Sequence, residues 1–492
     1  MSGPWLTLLW AAPAVGAVAA AAVPRAARWI GLAAALVALV IGIGLAFAFD
    51  PAGGFQFIES HSWIPSFGAG YRLGLDGTGL VLVLLTAALL PVLLLAAWRE
   101  TAPESARAGT YVALTLAVES MVLVSFVTTD VLLFYLVFEA MLIPLYFLLA
   151  GFGGTGSDSA VRTHTAVKFL LYNLAGGLIM LAAVVALYAA SGTFDLRALL
   201  DGARPGPGIG QDLMFLGFLF AFAVKAPLWP LHTWLPGAAV QTNPPTAVLM
   251  MAIVDKVGTF AMLRYCLTLF PDAAARCAPW VAALAVIGIV YGAILAIGQS
   301  DVMSLIAYTS ISHFGFIILG VFARTGDSQA GSVLYMVNHG VATAALFLTA
   351  GVLVARRGSR QIGDFGGAWS RAPKLGAIFL IAGLATLSLP GLGPFVSELL
   401  VVVGTYPRWA LAAIVSVVVL VLSAMYVLWT YQRMFTGPAP EDVERTVDDA
   451  RPRELLVLVP LVVALFLLGF FPSPALDAIN PSVSPTVAEV AR

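Results

Sequence analysis

The sequence predicts an all-α integral membrane protein of about fourteen transmembrane helices, and three observations carry that prediction. Of 492 residues, 60% are hydrophobic and only 10% charged, with a mean hydropathy of +0.96. Apolar stretches of about 20 residues recur along the chain, each long enough to cross a ~30 Å hydrocarbon core as a helix. Lys and Arg gather in alternate connecting loops. A soluble domain carries roughly 25% charged residues, so an ordinary water-soluble fold is excluded. The formal net charge of −1 gives no electrostatic reason for a nucleic-acid partner. Cys266 and Cys277 are the only cysteines. An iron–sulfur cluster needs about four cysteine ligands, so no redox centre is expected on this chain.

The apolar stretches place spans near 4–23, 29–49, 77–98, 110–128, 131–151, 164–190, 212–235, 246–269, 279–298, 302–323, 331–355, 375–403, 409–434 and 455–472. The first lacks a basic segment before it and is followed by Arg25 and Arg28, which makes it a span rather than a secretory signal. The longest polar stretches are residues 50–76, the Pro/Gly-rich 192–212 and the charged 437–454. No stretch reads as a soluble domain.

Odd-numbered loops hold Arg25, Arg28, Arg99, Arg107, Arg162, Lys168, Arg356, Arg357, Arg360, Arg371, Lys374, Arg433, Arg445, Arg451 and Arg453. Even-numbered loops hold Arg72, Arg197, Arg204, Arg276, Arg324 and Arg408, so the split is about 15 to 6. Cytoplasmic loops carry the excess of basic residues, which puts the odd loops inside and both termini outside. An odd number of spans would scramble this alternation.

That count leaves Lys225, Lys256, Arg264 and the terminal Arg492. Lys225 and Lys256 lie well inside apolar helices, where an ionised side chain costs on the order of 2.5–3.5 kcal/mol on insertion scales. Such residues persist beside a hydrated cavity or a partner, and they mark ion or proton paths by default. Arg264 is nearer a helix end, where snorkelling explains it. Among the acids, Glu139 lies nine residues after Asp130, about 14 Å into the membrane at 1.5 Å per residue. Glu398 has a similar setting, and Glu119 and Asp255 are further intramembrane acids. Asp255 directly precedes Lys256, so the two point to different helix faces and cannot simply pair. A structural ion pair between helices is the plainer explanation for any one of these residues. His313 and His339 fit packing as well as function, since one backbone carbonyl satisfies an imidazole. His232, in Pro-Leu-His-Thr-Trp, is placed to bond backbone freed by its proline neighbours. His61 and His164 read as loop or helix-end residues.

Two spans are interrupted. In residues 222–236 (Phe-Ala-Val-Lys-Ala-Pro-Leu-Trp-Pro-Leu-His-Thr-Trp-Leu-Pro), Pro227 and Pro230 remove backbone donors just after Lys225. In residues 389–399 (Leu-Pro-Gly-Leu-Gly-Pro-Phe-Val-Ser-Glu-Leu), Pro390, Gly391, Gly393 and Pro394 break the helix just before Glu398. Non-helical backbone at membrane depth survives only where protein or a water-filled cavity satisfies it. The discontinuous helices are spans seven and twelve, five apart, so the second copy runs the opposite way. Corresponding interruptions in two halves are the sign of an inverted-repeat transporter with its site at the breaks.

Residues 137–149 (Val-Phe-Glu-Ala-Met-Leu-Ile-Pro-Leu-Tyr-Phe-Leu-Leu) resemble the span-five motif of the antiporter-like subunits of NADH:quinone oxidoreductase, respiratory complex I. Residues 225–236, 306–316 (Ile-Ala-Tyr-Thr-Ser-Ile-Ser-His-Phe-Gly-Phe), 338–351 and 389–399 match further motifs of that family in order, with the loop signature at 363–367. The resemblance covers roughly residues 75–435. It implies spans one to three over 1–109 and two inverted five-helix repeats, spans four to eight over 110–270 and spans nine to thirteen over 279–435. A charged loop and span fourteen follow over 436–492. It also implies kinship to cation:proton antiporters and one proton channel per subunit. By position, Glu139 would be the gating carboxylate, Lys225 the proton-carrying lysine, Lys256 the relay, His313 and His339 central links, and Glu398 the exit-side acceptor. A Glu on span twelve sets the chain apart from the sibling subunits L and N, which typically have Lys there. The chain stops soon after span fourteen, so the long lateral helix of subunit L is not expected.

Two departures bear on proton access. Gly237, Ala238 and Ala239 stand where many relatives have an Asp and a His, and Asp301 is followed by Val302, Met303 and Ser304 where relatives often have basic residues. The family implies no cofactor on this chain, with flavin and iron–sulfur clusters in partner subunits. It implies other membrane subunits, especially L and N, as neighbours, and the bacterial inner membrane as the location. The expected mechanism is that Glu139 holds the proton on Lys225 when close and releases it when withdrawn, since a nearby opposite charge stabilises an ionised group that burial disfavours. The proton would then pass through Lys256 and the histidines to Glu398. The alternative is a subunit of a multisubunit Na⁺/H⁺ antiporter, which shares these motifs. A solute transporter would need a substrate cavity, and a purely structural subunit would tolerate loss of the central charges.

Overall fold

The computed structural model describes residues 3–99 and 105–488; Arg492 lies outside the described residues. Among the described residues, twelve helical segments are long and apolar enough to cross a membrane, from Trp5–Ala22 to Pro452–Phe470. Two more apolar stretches are helical but interrupted. One is Ile209–Lys225 followed, after a turn, by Leu235–Gln241, and the other is Pro373–Thr386 followed by Gly393–Thr405. Both interruptions fall at the prolines picked out in the sequence.

Side-chain caps start many helices where the sequence supplies a short polar residue. Asp76, Ser105, Asp130, Asp158, Asp301 and Thr325 each accept a backbone N–H from the first turn that follows. The two longest helices, Ser159–Ser191 and Gly326–Arg357, both end on a glycine in the left-handed region, Gly192 (φ 73°) and Gly358 (φ 74°). A residue without a side chain takes that conformation at no steric cost.

The structure is not wholly α. Residues 50–76, read from sequence as a polar loop, contain an antiparallel hairpin, Gln56–Ile64 paired with Ala69–Leu75 and turned at Gly68 (φ 63°). Arg72 ties this hairpin to the bundle through Asp130 (2.6 Å) and Asp195 (3.3 Å). A further helix, Ser473–Ala488, lies beyond the last expected span and packs on Gly77–Ala96 and Gly326–Arg357. The Gly77 amide donates to the Ser482 hydroxyl at 2.9 Å, and a Cβ at Gly77 would stand 1.7 Å from the Ala478 carbonyl oxygen.

Span five is also interrupted, which the sequence reading did not expect. Val131–Ala140 stops at Met141 and a second helix runs Leu142–Gly151, with Pro144 in its first turn. Three helices are buried almost throughout their spans: Pro244–Leu269, Val302–Ala323 and Gly326–Arg357. They form the centre of the bundle and carry Lys256, His313 and His339.

Candidate functional site

Lys225 is the last residue of its helix, and the break after it frees backbone carbonyls. The Leu228 amide reaches back to the Ala223 carbonyl (2.9 Å), which leaves the Val224 carbonyl to the indole N–H of Trp234 (2.9 Å). The Lys225 ammonium donates to the Phe138 carbonyl at 2.9 Å and lies 3.7 Å from the Phe138 ring centroid. That carbonyl belongs to the interrupted turn of span five, so one break supplies the lysine and the other its acceptor.

Glu139 is half-buried, and its Oε1 has no hydrogen-bond partner. Its carboxylate lies over Gly177, where a Cβ would come within 1.9–2.3 Å of it. Glu139 and Lys225 are within electrostatic range of each other without a hydrogen bond between them.

Lys256 sits between two wide helical turns, Leu249–Val254 and Met262–Cys266, in which hydrogen bonds skip one residue further than in an α-helix. The Asp255 amide therefore bonds the Met250 carbonyl, and the Met251 carbonyl accepts from the Lys256 ammonium at 2.9 Å. The same ammonium reaches His339 Nδ1 at 2.7 Å and lies 4.1 Å from the Phe314 ring centroid. Gly258 lets this helix close on the Lys225 helix, since a Cβ there would stand 2.9 Å from the Phe222 carbonyl oxygen and the Ala226 nitrogen. Asp255 is buried within electrostatic range of both lysines, and neither of its oxygens has a hydrogen-bond partner.

Beyond Lys256 the polar contacts continue. The rings of His339 and His313 are 5.4 Å apart. His313 Nδ1 is 2.5 Å from the Tyr335 hydroxyl, which donates to Glu398 Oε2 at 2.9 Å. Ser388, at the break in span twelve, donates to the same oxygen. Asn338 fixes the restart of that span by donating to the Gly393 carbonyl (2.7 Å) and the Ser397 hydroxyl (3.1 Å).

The structure thus brings Lys256, His339, His313 and Glu398 into one buried line, with Lys225 and Glu139 at its other end. Lys225, Lys256 and Glu398 are 1%, 0% and 3% exposed, so none of them faces lipid. Glu119 is fully buried with neither oxygen hydrogen-bonded and makes no bond to the line. His232 does not bond freed backbone as expected. Trp234 takes the available carbonyl, and the His232 ring packs edge-on against Tyr291 (5.1 Å) with Nδ1 unpartnered. Arg264 does not snorkel: it pairs with Asp76 at 2.5 Å between the rings of Phe55 and Phe260. The base missing after Asp301 is supplied from elsewhere, by Arg360 at 3.2 Å. Tyr335, Ser388 and Gly177 were missed by sequence reasoning. Tyr335 lies one helical turn before His339, a spacing that places both on one helix face.

Residues 128–425 match the family described as NADH:quinone oxidoreductase/Mrp antiporter, TM, and the chain belongs to that family. Within it, the resemblance is to subunit M. The chain is 53% identical to NADH-quinone oxidoreductase subunit M of Mycobacterium tuberculosis, covering 99% of this chain and 95% of the relative. It is 35% identical to subunit M of Escherichia coli K12, covering 93% and 91%. Among solved structures, a chain of respiratory complex I from Thermus thermophilus with bound NADH superposes with a TM-score of 0.87 at 31% identity, covering 98% of this chain and 99% of that one. A chain of the Mrp complex from a Dietzia species shares the fold, with a TM-score of 0.88 at 21% identity over 98% and 97% of the two chains.

Proposed function

We propose that this chain is the proton-translocating, antiporter-like subunit M of NADH:quinone oxidoreductase, moving protons through the buried line while partner subunits carry the electrons. The observation that carries the reading is the run of buried polar groups from Lys256 to His339, across the 5.4 Å between the His339 and His313 rings, and on through Tyr335 to Glu398, with Lys225 and Glu139 at the near end. Ionisable groups inside a membrane bundle are costly and persist for function. Glu139 acts as the gate on Lys225, Lys256 and the two histidines pass the proton on, and Glu398 receives it. Asp255 tunes the two lysines, and Glu119 and His232 are secondary.

The reading includes fourteen spans. Residues 209–241 and 373–405 count as two crossings, because their ends bond to opposite ends of the bundle. Thr242 bridges to Gly153, whereas Asp195 bridges to Asp130; Leu375 bonds Asp449, whereas Gly404 accepts from Thr325. The ion pairs support the same alternation. Arg72–Asp195, Arg264–Asp76 and Arg276–Asp212 join even-loop regions, while Arg356–Glu454, Arg357–Asp442 and Arg360–Asp301 join odd ones. Two inverted repeats, 110–270 and 279–435, are supported by matching local architecture. Asp130 caps a helix and bridges to Asp195 just after the long helix ending at Gly192, and Asp301 caps a helix and bridges to Gln361 just after the long helix ending at Gly358. Both termini lie on the outer side of the inner membrane by the distribution of basic loops, and subunits L and N are the neighbours. No redox centre belongs to this chain.

The test is proton uptake per NADH by the whole complex in proteoliposomes. Lys225→Ala and Glu139→Gln are expected to lower it, and unimpaired uptake in both overturns the assignment. Flavin and iron–sulfur subunits purifying with the chain favour this reading over a Na⁺/H⁺ antiporter complex.

A further inference from the structure

We propose that Tyr335 is a proton-relaying residue and that it gives the central line a single donor-to-acceptor direction, from Lys256 toward Glu398. The proposal rests on the proton-path reading above and adds to it a residue and the hydrogen positions that fix its direction.

The direction follows from what each end can do. An ammonium has three donors and no acceptor, and an ionised carboxylate only accepts. Lys256 therefore donates to His339 Nδ1 at 2.7 Å, so neutral His339 carries its hydrogen on Nε2. That nitrogen is 3.3 Å from the Thr343 hydroxyl. At the other end, Glu398 Oε2 accepts from Tyr335 at 2.9 Å and also from Ser388. The phenol has one hydrogen, and it is given to Glu398. Its oxygen must then accept from His313 Nδ1, 2.5 Å away, which fixes the hydrogen of neutral His313 on Nδ1. His313 Nε2 is left as a bare acceptor, and it is buried with no hydrogen-bond partner. The two imidazoles, 5.4 Å apart, thus present a donor on the Lys256 side and an acceptor on the Glu398 side.

A proton arriving at His313 Nε2 makes it imidazolium. His313 then gives its Nδ1 hydrogen to the Tyr335 oxygen as Tyr335 gives its own hydrogen to Glu398 Oε2. His313 and Tyr335 end neutral, Glu398 ends protonated, and one proton has crossed two bonds. Without the phenol, His313 has no acceptor leading to Glu398. The tyrosine is fully buried, and the one other hydroxyl beside its own, that of Ser388, donates to the same Glu398 oxygen.

The experiment compares Tyr335→Phe, replacement of Tyr335 by a ring-fluorinated tyrosine with a more acidic phenol, Glu398→Gln and Lys225→Ala, each in the intact complex in proteoliposomes. Positioned proton transfer contributes typically 10²–10⁴-fold to rate. Tyr335→Phe is expected to remove the same share of NADH-driven proton uptake as Glu398→Gln. The fluorinated residue is expected to retain uptake with a pH profile shifted to lower pH. Full uptake by Tyr335→Phe overturns the relay, and when Lys225→Ala has lost uptake the path reading stands without it. Loss in Tyr335→Phe with an unshifted profile for the fluorinated residue also overturns it, leaving Tyr335 a packing role.

Discussion

Lys225 turns its ammonium onto the carbonyl oxygen of Phe138, 2.9 Å away, and not onto the carboxylate of Glu139, the very next residue. The carboxylate instead lies against Gly177 on the neighbouring long helix. The proposed gate and the proposed carrier are therefore held apart, with a backbone dipole occupying the lysine.

Gly177→Ala tests that arrangement. The new methyl meets only the movable end of a side chain, so the fold should tolerate it at less than the ~1–3 kcal/mol of a tightly overpacked core. Glu139 must leave its place, and proton uptake per NADH should fall while thermal unfolding of the complex changes little. Unchanged uptake would show that the resting position of Glu139 is immaterial.

Gly258→Val should behave differently. Its side chain would meet the Phe222 carbonyl and the Ala226 nitrogen, backbone atoms that cannot swing aside. The helix carrying Lys256 should separate from the one ending at Lys225, at a cost of about 1–3 kcal/mol. Both the yield of assembled complex and the proton uptake of what assembles should drop.

Arg264→Ala should destabilise without any special effect on the path. It strands Asp76 in a buried site, and breaking a buried pair from one side costs about 3–5 kcal/mol. The expected readout is a lower unfolding temperature and less assembled complex. Removing both charges, as Arg264→Met with Asp76→Asn, should restore part of the loss.

Ser388 has φ 60° and donates to Glu398. Ser388→Ala keeps the strained backbone and loses the donor; Ser388→Gly loses the donor but relaxes a strain of about 1–2 kcal/mol. Both should lower proton uptake less than Tyr335→Phe, because Tyr335 still holds Oε2. The glycine variant should unfold at the higher temperature of the two. An order reversed between Ser388→Ala and Tyr335→Phe would make serine the main partner of Glu398.

The sequence exposed the residues that violate the apolar pattern: a lysine beside two prolines, a glutamate beside two more, and a second lysine in a helix otherwise fit for lipid. Such residues stand out because burial makes them costly. The hairpin at 56–75 was less visible, since alternation over short strands in a mixed polar loop competes with no strong turn signal except Gly68. Tyr335 was hidden because tyrosine is an ordinary core residue, and only its spacing from His339 could have marked it. The carbonyls of Phe138 and Met251 are beyond any reading of side chains. They become acceptors only because one helix stops and another widens. Gly177 was one of 47 glycines, and nothing in the chain singles out the one beneath a carboxylate.

The wide turns on either side of Lys256 make the helix sensitive to its residue count rather than to its composition. Each holds one more residue than an α-turn, and a residue advances about 100° around an α-helix. Deleting one residue from 249–254 would repair the regular ladder and swing the ammonium about that far away from His339. A helix improved by every local measure would then carry a disconnected lysine.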